Sequence, residues 1–213
     1  MTTLVPLGSS SRLGGILLDQ TGPPLKSLAS LAFFAADSEI YAQSQSCESL
    51  YQVEFGAVRI CRLLSDGRRQ ISAFHFAGEV FGFECQGSHH FCAEAICSTG
   101  LKVLQFSAAQ AAGEVLPMAV QSLVHAQEHL LVLGRQNSVE RIAGFLMEMS
   151  KRQSGLRHIE LPMSRSDIAD YLGLTTETVS RVFSRLKVTG VIKLPDLRSV
   201  EIVRLQALRS MVA

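Results

Sequence analysis

Cys85, His89, His90, Cys92 and Cys97 form the densest group of potential metal ligands and redox thiols in this 213-residue chain. Thiolate and imidazole donors together suit zinc, but the spacing here contains none of the compact C-x-x-C steps of a structural zinc site, and the residues read as a strand and a loop. No metal is therefore expected. A thiol redox switch at Cys47, Cys61, Cys85, Cys92 or Cys97 has slightly more in its favour, although most free cysteines are simply packed inside. Five cysteines, an odd count, also argue against a disulfide framework. No nucleophile–base pair and no His/Glu constellation stands out on the strands, so no catalytic residue is expected. A cupin-like enzyme is only a distant alternative.

A different chemistry is written in TTETVSRVFSRL, Thr175 to Leu186. Glu177, Ser180, Arg181 and Ser184 fall at i, i+3, i+4 and i+7, which places them on one face of a helix. Val179, Phe183 and Leu186 share another face. Arg offers a paired donor to guanine O6 and N7, Glu accepts from cytosine N4, and Ser is short enough to let a helix approach base edges. A solvated helix face is the competing reading, and the neighbouring sequence decides against it.

Upstream, SRSDIADYLGL has Ser164 with Asp167 three residues later, a capping arrangement, then Ile168, Ala169 and Leu172 on one apolar side. Gly173 stands where a helix should stop, and Thr175 or Thr176 can cap the next one. Two short helices joined by a glycine turn can cross and bury each other's stripe. Downstream, KLPDLRSVEIVRL reads as a β-hairpin wing carrying Lys193 and Arg198. Still further upstream, Asn137 or Ser138 can cap a helix through Val139, Ile142, Phe145, Leu146 and Met149, with a hinge near 134–138. Leu116, Ala119, Leu123, Ala126, Leu130 and Leu133 repeat at steps of 3, 4, 3, 4 and 3 residues, the seam of a short coiled coil. Packing of that helix on its own barrel is the alternative.

Before residue 113 the text changes to short β-rich runs. In SLYQVEFGAVRICRLL, Leu50, Val53, Phe55, Val58, Ile60 and Leu63 keep a rough period of two, and SDGRR supplies Asp-Gly turn chemistry. An antiparallel barrel or jelly roll follows from many short strands at this spacing. The expected organisation is α+β: a tail over 1–25, a β-barrel over 26–112, a long dimerisation helix over 113–136 and a winged helix-turn-helix over 137–213.

Charge is segregated along this plan. Residues 1–150 hold 9 Lys/Arg against 13 Asp/Glu, and residues 151–213 hold 11 against 6, so a net charge of +1 conceals a basic C-terminal part. That end suits a polyanion. No apolar run approaches the roughly 18 residues of a membrane span, and the N-terminus lacks a secretory pattern, so a cytoplasmic protein is expected.

Taken together, YLGLTTETVSRVFSRL and VEFGAVRICRLLSDGRRQISAFHFAGEVFGF resemble the CRP/FNR superfamily of bacterial transcription regulators, over nearly all of residues 30–205. The E-T-V-S-R form is similar to its FNR and FixK branches. The resemblance implies a jelly-roll barrel like that of cyclic-nucleotide-binding domains, a homodimer, and a winged helix reading TTGAT-like half-sites of an inverted repeat in double-stranded DNA. Glu177, Ser180 and Arg181 become the base readers. Ser164, Arg165, Thr175, Thr176, Ser184, Lys193 and Arg198 become phosphate contacts, and RNA polymerase becomes a partner. The departures are informative too. No cysteine precedes Cys47, and Lys102 stands where FNR proteins have a barrel cysteine ligand, so an iron-sulfur cluster is not expected. Gly78-Glu79 survives from the cyclic-AMP loop, but GSHHFCAEAIC supplies no arginine for a phosphate. The resemblance then points to the cofactor-free FixK type, whose members typically control low-oxygen respiration and nitrogen fixation. An effector-gated regulator of the same superfamily is the alternative.

Overall fold

The computed structural model describes residues 30–47, 49–84, 87–104 and 111–212. The expected tail over 1–25 and Cys85 lie outside the described residues. Eight strands come first: β1 (Leu31–Phe34), β2 (Glu39–Tyr41), β3 (Leu50–Phe55), β4 (Ala57–Leu63), β5 (Arg69–Phe76), β6 (Val80–Phe81), β7 (Cys92–Ala95) and β8 (Thr99–Leu104). They form two four-stranded sheets, ordered β1-β8-β3-β6 and β2-β7-β4-β5, with every pairing antiparallel.

The stretch read as one alternating run is two strands in different sheets. Gly56, at φ +87°, turns the corner between them, and a Cβ there would fall 2.5 Å from Thr99 Oγ1 and 2.6 Å from the Ser98 carbonyl oxygen. Val53, Val58 and Ile60 do point into the barrel. Phe55 and Leu63 do not, being 46% and 62% exposed. Phe55 follows a register shift against β8 and lies beside Phe33, while Leu63 is the last residue of β4, three positions before Asp66 of the Asp66-Gly67 turn.

β4 departs furthest from a half-buried strand, because Ala57, Val58, Arg59, Ile60 and Cys61 are all buried. Its even-numbered Val58 and Ile60 fill the barrel interior with Tyr41, Phe81 and Leu101. Its odd-numbered Ala57 and Cys61, with Ile71, Phe74 and Cys92, belong instead to the core of the helical part. Successive side chains of a strand point to opposite faces, so one strand here serves two cores.

After a π-helical turn, Ala111–Val115, come α1 (Leu116–Leu133), α2 (Ser138–Arg152), β9 (His158–Glu160), α3 (Arg165–Leu172), α4 (Thr176–Val188), β10 (Ile192–Lys193), β11 (Ser199–Ile202) and α5 (Leu205–Ser210). The Asn137 side chain caps α2 by accepting from the Val139 and Glu140 amides at 3.0 Å each. Ile142, Phe145, Leu146 and Met149 are its buried face. The strands β10-β11-β9 form a small antiparallel sheet, the wing. Among the described residues, no helix is long and apolar enough to cross a membrane.

Candidate nucleic-acid interface

Two local signals set the geometry of α3 and α4. Ser164 caps α3: its Oγ accepts from the Asp167 amide at 3.0 Å, while the Asp167 carboxylate accepts from the Ser164 amide at 2.9 Å and from its hydroxyl at 2.8 Å. Such a reciprocal box satisfies the amides that a helix start leaves open. Gly173, left-handed at φ 61°, ends α3, and Thr175 caps α4 by accepting from the Thr178 amide at 3.2 Å. Ile168, Ala169 and Leu172 then bury against Val179, Phe183 and Leu186, joined by Tyr171 and Val182.

With that face fastened, Thr176, Glu177, Ser180, Arg181 and Ser184 are exposed on the other. The side chains of Arg181 and Glu177 are 74% and 78% exposed and pair with each other, so the guanidinium is held over the helix surface rather than folded into the core. Arg165 is placed differently from a free phosphate contact, since its guanidinium lies 3.5 Å over the Phe183 ring. Burial there lowers its pKa to about 10, which leaves it cationic at neutral pH. On the wing, Lys193 Nζ pairs with Glu201 at 3.2 Å, and Arg198 is exposed in the turn, where its amide donates to Asp196. Arg185 and Lys187 add two exposed cations that went unremarked in the sequence. Lys187 was legible, being seven residues beyond Ser180 on the same helical face.

What sequence reading missed altogether is how the barrel grips this unit. Arg69 of β5 donates to Asp167 at 2.6 Å and to Asp170 at 3.0 and 3.1 Å. Arg59 of β4 donates to Glu94 at 2.6 Å and to Asp37 at 3.2 Å, with Asp167 at 3.5 Å. The residue that completes the α3 cap is thus also the anchor for two barrel arginines. Tyr171 extends the contact by stacking on His129 of α1 at 3.8 Å and packing against Phe74 at 4.9 Å.

Between barrel, α1 and α2 lies a cavity of about 300 Å³, lined among others by Tyr41, His75, His125, His129, Arg152 and Tyr171. Among the described residues Arg152 is the one Lys or Arg lining it, and it is already engaged: it donates to Glu79 at 2.6 and 3.2 Å, to the Phe74 carbonyl at 2.5 Å and to Glu148 at 3.3 Å. Burial pushes the Glu79 carboxyl up, but the His75 and Arg152 partners outweigh it and bring it down to about 2.

The helix α1 is apolar on two opposite sides. His129 and Val132 are buried against the protein, with Met118, Ser122 and His125 half-buried on the same side. On the far side Leu116, Val120, Leu123, Leu130 and Leu131 are exposed, at 51% to 72% of their surface. Of the seam expected from sequence, Leu116, Leu123, Ala126 and Leu130 are exposed, whereas Ala119 and Leu133 are half-buried. The exposed stripe is therefore rotated toward Val120 and Leu131.

A two-sheet barrel, a long helix with an uncovered apolar stripe and a winged helix-turn-helix define the class: a DNA-binding transcription regulator rather than an enzyme. Known proteins agree. Residues 31–113 match the cyclic nucleotide-binding domain family, and residues 140–211 match the Crp-like helix-turn-helix domain family. The chain is 49% identical over 198 residues to the nitrogen fixation regulation protein FixK of Rhizobium meliloti, covering 92% of this chain and 94% of that one. It is 40% identical over 211 residues to the protein of the same description from Azorhizobium caulinodans, covering 92% and 85%. The solved structure of FixK2 from Bradyrhizobium japonicum superposes with a TM-score of 0.80 at 42% identity, over 87% of this chain and 98% of that one. The chain belongs to the CRP/FNR family of transcription regulators and is FixK-like within it.

Proposed function

We propose that this chain acts as a homodimeric, FixK-type regulator that reads an inverted repeat of TTGAT-like half-sites and recruits RNA polymerase to nitrogen-fixation or low-oxygen genes. The observation that carries the reading is the row Glu177, Ser180 and Arg181, exposed on a helix whose opposite face is locked in the core. Ser164, Thr175, Thr176, Ser184, Lys193 and Arg198 surround that row as phosphate contacts, and Arg165 joins them by leaving its place over the Phe183 ring. Because Lys193 is paired to Glu201, it would have to exchange a carboxylate for a phosphate on binding. The α1 stripe supplies the dimer contact, which sets two reading helices about one DNA turn, roughly 34–36 Å, apart. The names of the similar proteins supply the regulon.

Arg181→Ala is expected to weaken binding to a TTGAT-type palindrome by about 1–3 kcal/mol per half-site, or about 5- to 150-fold, while leaving binding to random DNA nearly unchanged. Lys193→Ala and Arg198→Ala should instead weaken both alike and flatten the salt dependence. Equal losses on specific and random DNA for Arg181→Ala would refute the base-reader role. The barrel cavity favours one second reading, an effector-gated form of the same regulator. A shift assay with and without cyclic nucleotide, reductant and air separates the two, since the cofactor-free form binds alike in all of them.

A further inference from the structure

We infer that the barrel carries a binding site for a zinc-type divalent cation, built from Cys47, Glu84 and His89. These residues are far from a sequence motif, and the fold gathers them. The loop after β2 and the loop before β7 are stitched together by backbone bonds from Ser44 N to His89 O (2.7 Å), His89 N to Gln45 O (2.8 Å) and Cys47 N to Gly87 O (3.1 Å). Those bonds fix the backbone at two of the three positions. The ligand atoms, Cys47 Sγ, a Glu84 carboxylate oxygen and a His89 ring nitrogen, then lie within 4.8 Å of one another.

The donors are held as a site needs them to be. His89 is 2% exposed, its ring is stacked on Tyr41 at 3.6 Å and 8°, and its Nδ1 is 2.6 Å from Glu84 Oε2. The other carboxylate oxygen accepts from the Phe91 amide at 3.3 Å, an outer contact that orients the ligand. Cys47 is half-buried, with its thiol 3.3 Å from the Glu84 carbonyl oxygen. One sulfur, one nitrogen and one carboxylate oxygen match zinc, whereas calcium and magnesium require oxygen cages.

Tetrahedral coordination with bonds of about 2.0–2.3 Å separates neighbouring ligand atoms by roughly 3.3–3.7 Å. Entry of the cation therefore widens the 2.6 Å His89–Glu84 contact by roughly 0.7–1.1 Å, displaces the proton shared there to the other ring nitrogen of His89 or to solvent, and releases the Cys47 thiol proton to solvent. Three protein donors leave a fourth position for water, the pattern of an exchangeable rather than a closed structural site. The second grouping of this kind, Cys61, Cys92 and Glu94, is a poorer candidate. Its thiols are buried, and Glu94 already faces the cations of Arg59 and Arg69.

The test uses the full-length chain, stripped of metal and kept reduced. Titration with cobalt(II) should give one equivalent per chain, with a thiolate-to-cobalt charge-transfer band and the visible bands of tetrahedral cobalt. Zinc, titrated against a fluorescent chelator, should displace it. Cys47→Ser should abolish the charge-transfer band, and Glu84→Gln should weaken zinc by at least the roughly 10- to 100-fold that outer-contact losses cost. Cys97→Ser and the Cys61→Ala/Cys92→Ala pair should keep both signals. Zinc at a hundred times its Kd should raise the melting temperature by about 5–10 °C in the parent and not in Cys47→Ser, whose own melting in the absence of zinc reports whether it folds. A parent that binds no stoichiometric metal at micromolar concentration, or a charge-transfer band that survives Cys47→Ser, overturns the assignment.

Discussion

Arg69→Ala should unfasten the reading unit from the barrel while leaving its DNA-facing row intact. The substitution removes three charge-assisted hydrogen bonds, one to Asp167 and two to Asp170. Bonds of this kind contribute about 1.5–3 kcal/mol each when shielded from water. The Arg69 and Asp170 side chains are 26% and 28% exposed, so solvent takes up much of what their pair loses. Asp167 is 4% exposed and cannot be rehydrated, but it keeps its Ser164 partner and Arg59 at 3.5 Å. The sum is about 2–3 kcal/mol, below the roughly 3–5 kcal/mol for breaking a fully buried pair. In a chain of this size that lowers the melting temperature by roughly 5–10 °C. Urea unfolding of the parent, Arg69→Ala, Asp167→Asn and the double variant should give a coupling of about 1 kcal/mol or more. Arg68→Ala is the control, because that guanidinium, 77% exposed, pairs with Asp66 on the hairpin turn and should change stability by less than about 0.5 kcal/mol. A cost for Arg69→Ala no larger than this control, or a coupling below about 0.3 kcal/mol, would refute the latch.

Stability should also fall on acidification in two stages. Burial lowers the His129 pKa from 6.5 to about 4, so the folded state keeps it neutral while the unfolded chain protonates it. Its contribution is complete above about pH 6.5 and is lost as the pH falls toward 4, at most about 3 kcal/mol. Glu79, held down to about 2, adds a second loss between about pH 4.5 and 2. His129→Phe, which preserves the stack on Tyr171 and removes a buried Nδ1 with no hydrogen-bond partner, should flatten the first stage only; an unchanged slope in urea midpoint against pH would exclude His129 as its source. Leu123→Lys combined with Leu130→Lys should yield a folded monomer by sedimentation with sharply weaker palindrome binding, whereas a persistent dimer would place the interface elsewhere.

The parts legible in the sequence were those whose information is local. Ser164, Gly173 and Thr175 sit where backbone geometry admits few residue types, and Val179, Phe183 and Leu186 repeat at a helical period. The misses share a cause, contact between distant segments. Arg69 and Asp167 are 98 residues apart, and no spacing announces their pairing. β4 did not alternate cleanly because both of its faces are buried, and Phe55 and Leu63 looked like core for the same reason that they were apolar. Within the α1 heptad, Ala119 and Leu133 are half-buried while Val120 and Leu131, which the heptad skips, are exposed, because a period of 3.5 does not by itself say which edge of the stripe the barrel covers. The Cys85-to-Cys97 cluster stands out as a string, whereas Glu84 does not and Cys47 is legible only as a thiol, because nothing in the spacing says that the fold brings both to His89.

The two-faced strand β4 makes the chain a poor source of interchangeable modules. A head excised at residue 137 would bare the surface that Ala57, Cys61 and Phe74 now cover, and would strand Asp167 without its arginines. Chimeras that graft this head onto another barrel should fail as folding units unless they carry that wall with them. Drift in the barrel sequence is constrained accordingly, since a substitution on the outward side of β4 is also a substitution in the core of the DNA-binding half.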